Sequence, residues 1–223
     1  MSITNKSIFI TFIDLNQGFY FSNQIKLLLS KENERIFMIF TAKVDKTMFK
    51  GTPIQLEGNF QELGQNAPII KVVTPDLQEK TIGGESNKAQ LIIVVPSLDT
   101  PVCDAEARHL NQTVANHDNI DTIIVSMDLP FAAAKFCNIA GITNITIGSD
   151  FRSKAFAKAY GMLISDGVLA GLCARALFVI SKDGKIVYKQ VVPEITEEPN
   201  YNEALEAAIG AANKGASCCG FCQ

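Results

Sequence analysis

Apolar residues in this chain fall into short dense runs separated by polar punctuation. Leu91-Ile92-Ile93-Val94-Val95 is an unbroken, largely β-branched run and reads as a buried strand. Asp121–Met127, Ala176–Ser181 and Lys185–Val192 read the same way, with weaker strands over Ile69–Thr74 and Asn144–Ile147. Between them the period changes. Val102, Ala105, Ala107, Leu110 and Val114 recur at helical spacing, which predicts a helix over Cys103–Asn116. Further helices are expected over Phe131–Ile139, Ser153–Ala159 and Asn202–Ala212. Gly51-Thr52 lies between Thr47–Lys50 and Pro53–Leu56 and predicts a small hairpin, while Gly83–Asn87 reads as a loop. Asp183-Gly184 is the strongest short hairpin signal and joins the last two strands. Strands alternating with helices and then a hairpin imply an α/β fold with a mixed central sheet covered by helices.

The two ends depart from this pattern. Residues 1–37 are rich in Ile, Phe, Asn and Lys, contain one arginine (Arg35) and show no clean period. They lack a basic start, an uninterrupted apolar core and a small-residue cleavage site, so they do not read as a targeting segment. Either the working start is Met38 or Met48, with an A/T-rich leader upstream, or the segment holds a short helix over Asn23–Lys31 joined loosely to the rest. The expected division is a 1–46 extension, untranslated or disordered, a 47–212 domain and a cysteine-rich tail over 213–223. With 223 residues, 47% apolar and 19% charged, the chain can bury a substantial core. A net charge of −3 without a basic cluster argues against a nucleic-acid surface, and no apolar run is long enough to span a membrane.

The candidate chemistry lies where the first strong strand meets the first helix. Asp99 or Thr100 suits the N-cap and Pro101 the first helical position, which puts Cys103 in the first turn. Unpaired backbone N–H groups and the helix dipole favour an anion there. A free thiol titrates at about 8.5, and such surroundings bring it to roughly 3.5–7.5. The bland alternative is a small buried hydrophobe.

Pro96-x-x-x-Thr100-x-x-Cys103 resembles the active-site signature of the peroxiredoxins. Asp128-Leu129-Pro130-Phe131-Ala132 with Phe136-Cys137, Ala174-Arg175 and Glu194–Pro199 are similar to the bacterial thiol peroxidases, the atypical two-cysteine branch. The likeness spans about residues 47–212 and implies a thioredoxin-like fold with an extra N-terminal β-hairpin. It implies that Cys103 is the peroxidatic nucleophile, attacking the O–O bond and becoming a sulfenic acid. Thr100 would hydrogen-bond thiolate and peroxide, Pro96 would shield the site, and Arg175 would stabilise the thiolate and the developing charge on oxygen. Without the resemblance, Arg175 would read as a surface or edge-strand charge. Cys137 resembles the resolving cysteine and would form a Cys103–Cys137 disulfide; its alternative is a half-apolar buried residue. A disulfide needs Cα atoms about 4.4–6.8 Å apart, so local unwinding around both cysteines is expected. The resemblance further implies recycling by thioredoxin, with thioredoxin reductase upstream, no cofactor, a homodimer and a cytoplasmic setting.

Lowering a thiol from about 8.5 to about 6 raises its ionised fraction at neutral pH some 30-fold, roughly 2 kcal/mol. Oriented hydrogen bonds at the leaving oxygen must therefore supply most of the acceleration. Cys173 reads as a partly buried spectator, with secondary oxidation as its alternative. Cys219-Gly220-Phe221-Cys222, with Cys218, is either an auxiliary dithiol relay or a solvated tail. His109 and His117 read as surface residues, and Glu194, Glu197, Glu198 and Asp183 as solvated charge. The activity expected is reduction of hydrogen peroxide and organic hydroperoxides. The rivals are a thiol-based redox sensor and a protein thiol–disulfide oxidoreductase on the same fold.

Overall fold

The computed structural model describes residues 24–28, 37–41, 46–100, 107–108 and 110–214. The chain divides into two units, Met1–Val44 and Asp45–Gln223. In the first, β1 (Gln24–Leu28) pairs antiparallel with β2 (Phe37–Thr41). This corrects the helix expected over Asn23–Lys31. The segment Gln24-Ile25-Lys26-Leu27 alternates polar and apolar residues, and its partner Phe37-Met38-Ile39-Phe40-Thr41 is rich in strand formers. Pairing with that partner outweighs the weak helical preference of a short isolated segment.

The second unit is built on a seven-stranded mixed sheet of spatial order β12-β11-β7-β8-β9-β5-β6. Its centre is β7 (Ala89–Val94), parallel to β8 (Ile120–Ser126), which is parallel to β9 (Thr146–Ser149). On one side β11 (Ala176–Ile180) runs antiparallel to β7 and turns back into β12 (Ile186–Val191). On the other, β5 (Ile70–Val73) and β6 (Glu79–Ile82) form an antiparallel edge hairpin. A separate three-stranded sheet, β10-β4-β3, contains the expected N-terminal hairpin, β3 (Lys46–Phe49) and β4 (Thr52–Glu57), with β10 (Leu163–Ile164) added.

The period-2 alternation of side chains splits each central strand between two cores. Ile92, Val94, Ile123, Val125, Ala176, Phe178 and Ile180 join one cluster with Phe156, Tyr160 and Met162. Leu91, Ile93, Ile124, Leu177 and Val179 join the other, under the helices. Burial on both faces is why these strands read as continuous apolar runs. The helix Tyr201–Asn213 covers the second face with Ala204, Ala208, Ala211 and Ala212, and its N-cap Asn200 accepts from the Glu203 amide at 3.3 Å. The helix Pro130–Ala140 and the helical residues 107, 108 and 110–113 lie on the same face, contributing Ala133, Ala107 and Leu110.

Within the second unit, two strands escaped the pattern. β6 presents mostly polar residues because it is a sheet edge, and β10 is only two residues long. The expected strand Asn144–Ile147 begins at Thr146 instead, because Asn144 is held by hydrogen bonds to Asn111. The Asp183-Gly184 hairpin forms as expected. Gly184 has φ +76°, and a Cβ there would stand 2.8 Å from the Gly84 carbonyl carbon.

Candidate active site

Strands β7, β8 and β9 end together, since Val94 is level with Val125 and Ser126 with Ser149. Open sheets place their sites at such carboxyl-terminal ends. The antiparallel β11 starts at the same edge, with Ala176 opposite Val94. Four distant segments thus meet there: Pro96–Thr100 after β7, Asp128 after β8, Asp150 after β9, and Arg175 before β11.

Asp128 fastens the first of these. One carboxylate oxygen accepts from Ser97 Oγ at 2.8 Å, and the other from the Leu98 amide at 2.6 Å and Ser126 Oγ at 2.8 Å. Ser149 Oγ donates to the Asp128 carbonyl, tying in β9. Ser97 Oγ in turn accepts from the Asp99 amide at 3.2 Å. These bonds fix the turn that carries Thr100, whose hydroxyl lies 3.5 Å from the Ser97 carbonyl. Pro96 is buried and Thr100 half-buried. The anchoring role of Asp128 was not legible beforehand. The available clue was that it follows β8 just as Pro96 follows β7 on the neighbouring parallel strand.

Arg175 is 2% exposed, which removes the surface or edge-charge alternative. A buried guanidinium is tolerated only with hydrogen-bond partners. Its Nε donates to the Ile195 carbonyl at 2.9 Å, and its own carbonyl accepts from the Val192 amide at 2.9 Å. The segment holding it is itself tied to the N-terminal hairpin. The Ile195 amide donates to the Met48 carbonyl, and Thr47 Oγ1 to that of Val192. Glu194 accepts from the amides of Lys50 and Gly51 at 3.0 Å each. Slight burial would raise its carboxyl, but these amides and Thr196 outweigh that and hold it below the usual range. Glu194 is a tether, not the free solvated charge expected from the sequence.

Asp150, 1% exposed, accepts from the amides of Phe156 at 3.0 Å and Ala157 at 2.8 Å, so it caps the short helix Ala155–Ala159. Burial raises its carboxyl against those bonds. Cys173 is fully buried, and burial pushes its thiol far up, helped by the charges of Asp150 and Asp128 and opposed by Lys154. It is a protonated thiol behind the site.

Cys137 lies elsewhere. It sits in the last turn of Pro130–Ala140, half-buried, and burial raises its thiol above the ordinary cysteine value. It lines an open groove of about 450 Å³ with Thr74, Asp76, Glu79, Lys80, Ile145 and Thr146. Thr146 is level with Ile123, three residues down β8 from the Ser126 end, or about 10 Å. Cys137 is therefore not among the groups gathered with Pro96, Thr100 and Arg175. Cys103, His109 and the tail cysteines Cys218, Cys219 and Cys222 lie outside the described residues. His117 is half-buried in the loop before β8. Among the described residues no group of His, Cys, Asp or Glu could hold a metal ion.

The Redoxin family model matches residues 62–205. The thiol peroxidase of Aquifex aeolicus is 51% identical over 156 residues, covering 70% of this chain and 92% of its own. That of Campylobacter jejuni is 49% identical over 174 residues, covering 78% and 95%. The chain belongs to the thiol peroxidases. A crystal structure of a peroxiredoxin-like protein from Aquifex aeolicus superimposes with a TM-score of 0.73 at 47% identity, covering 75% of this chain and 98% of that one. A thiol peroxidase from Chromobacterium violaceum, 19% identical with a TM-score of 0.69, shares the fold. The thioredoxin-like α/β fold expected from the sequence is thus the fold observed, and the family is one of peroxidases. No helix among the described residues is long and apolar enough to cross a membrane.

Proposed function

We propose that this thiol peroxidase reduces hydrogen peroxide and organic hydroperoxides through Cys103, with Cys137 as the resolving thiol. The Cys103 thiolate attacks the distal peroxide oxygen, so an S–O bond forms as the O–O bond breaks, and the hydroxide or alkoxide that leaves takes a proton from solvent to become water or an alcohol. Arg175 stabilises the thiolate and the negative charge developing on the leaving oxygen, and Thr100 orients the peroxide through its hydroxyl. Pro96 keeps bulk water from the sulfur. Cys137 then displaces hydroxide from the sulfenic acid, giving the Cys103–Cys137 disulfide and water. A dithiol protein of the thioredoxin type, kept reduced by thioredoxin reductase, restores both thiols in the cytoplasm. The chain acts without a cofactor and as a homodimer; support for the latter comes from Leu129, Phe131 and Phe151, exposed beside the site at 47–69%.

The observation that carries this reading is the burial of Arg175 at the end of the sheet where β7 leads into Pro96 and Thr100. Such a cation suits the small oxyanion that separates from a hydroperoxide. The 1–46 extension and the 213–223 tail stand outside the 47–212 catalytic domain in this reading. The test is NADPH oxidation coupled through thioredoxin reductase and thioredoxin. Continuous turnover with hydrogen peroxide, abolished by Cys103→Ser, is expected. A single stoichiometric oxidation without turnover would instead make the protein a redox sensor.

A further inference from the structure

The helical residues before β8 are tied to the end of the Cys137 helix by a set of hydrogen bonds the reaction does not use. Asn111 Oδ1 accepts from the Asn144 amide at 2.8 Å and the Thr143 amide at 3.0 Å. Its Nδ2 donates to the Gly141 carbonyl at 3.3 Å, and its backbone carbonyl accepts from Asn144 Nδ2 at 3.0 Å. One turn earlier, Arg108 Nη1 donates to the Ala140 carbonyl at 3.1 Å. All five bonds fall on residues 140–144, the chain immediately after the last turn that carries Cys137. That turn is closed by Gly141, left-handed at φ 67°, ψ 35°. The Cys137 carbonyl accepts from the amides of both Gly141 and Ile142.

Freeing Cys137 from its helix means breaking the Gly141 and Ile142 bonds, and Asn111 opposes that by holding the Gly141 carbonyl and the Thr143 and Asn144 amides just beyond it. Thr143 and Asn144 are exposed, so hydrogen bonds hold this loop more than burial does. We propose that Asn111 is a positioning residue that latches the last turn of the Cys137 helix and so sets how fast Cys137 reaches oxidised Cys103. The proposal rests on the reading of Cys137 as the resolving thiol.

The latch decides between two fates of the Cys103 sulfenic acid. In one, the Cys137 sulfur forms the S–S bond as the S–O bond breaks, and water leaves. In the other, a second hydroperoxide delivers an oxygen, giving sulfinic acid and water or an alcohol, and the enzyme is lost from the cycle. A tight latch lengthens the life of the sulfenic acid and favours the second fate at high peroxide.

The test mixes the reduced full-length chain with excess hydrogen peroxide, quenches at intervals, and follows sulfenic acid, disulfide and sulfinic acid by peptide mass. Asn111→Ala should leave sulfenic acid formation unchanged, speed disulfide formation about tenfold and cut the sulfinic fraction in proportion. Asn144→Ala, which removes one of the five bonds, should speed it about threefold. Val72→Ala, in the core on the opposite sheet face, serves as a destabilised control and should not speed it. Disulfide formation in Asn111→Ala that is unchanged or slower, or equally accelerated in Val72→Ala, overturns the latch. A wild-type protein that forms no Cys103–Cys137 disulfide would instead refute the assignment of Cys137.

Discussion

The Asp128 carboxylate accepts the Leu98 amide at 2.6 Å, joining the ends of two parallel strands across 30 positions of sequence. With Ser97 and Ser126 on the same carboxylate, three donors share two oxygens. Asp128→Asn replaces one acceptor with an amino group that faces donors. Stability should fall by about 1–3 kcal/mol. Because the displaced turn carries Thr100, kcat/KM for hydroperoxide should fall about 10- to 100-fold, as misplacement of reacting groups does. Thermal melts and initial rates of the two proteins check this. Full activity at a lowered Tm would separate the anchor from the chemistry.

Arg175→Lys keeps a positive charge but removes the Nε donor that reaches Ile195 and the fixed fork of the guanidinium. Loss of one oriented donor at a developing oxyanion costs about 100- to 1,000-fold in rate. The expectation is a loss of that size in kcat/KM, with thioredoxin-dependent reduction of a preformed disulfide unchanged. Equal losses in both half-reactions would count against a role at the peroxide.

Thr100→Val keeps the shape of the side chain and deletes its hydroxyl, while Thr100→Ser keeps the hydroxyl. Valine should lower kcat/KM about 100-fold and serine less than tenfold. Single-turnover oxidation of Cys103 measures the difference directly. Similar behaviour of the two variants would show that packing, and not the hydroxyl, is what position 100 supplies.

Cys173 gives the protein a pH signature. Burial raises its folded-state value well above that of the unfolded chain. Its contribution to stability is therefore complete below the unfolded value near 8.5 and is lost progressively as pH rises toward the folded value. Between pH 9 and 11 the wild type should lose about 1.4 kcal/mol per pH unit more than Cys173→Ala. Urea unfolding across that range measures both slopes, and parallel slopes would mean that Cys173 is not buried as a thiol. The same burial predicts that Cys173 resists alkylation in the native protein.

The central strands were legible because burial on both faces writes an unbroken apolar run, as in Leu91–Val95. The Tyr201–Asn213 helix was legible because its alanines keep one face. What composition could not show was long-range pairing. β6 looks polar because it is an edge, and Gln24–Leu28 becomes a strand only through its partner 37–41. The site shows the same limit. Pro96 and Thr100 announce themselves by local spacing. Arg175 looks like a surface charge until the β7–β11 register buries it, and Asp128 is an unremarkable carboxylate until three donors converge on it.

The most direct measurement of the account is peptide mapping of the full-length protein after one equivalent of hydrogen peroxide. A single cross-linked species joining the peptides of Cys103 and Cys137, with Cys173 still a free thiol, is the predicted result. A disulfide within Cys218, Cys219 and Cys222 with Cys103 left reduced would contradict it.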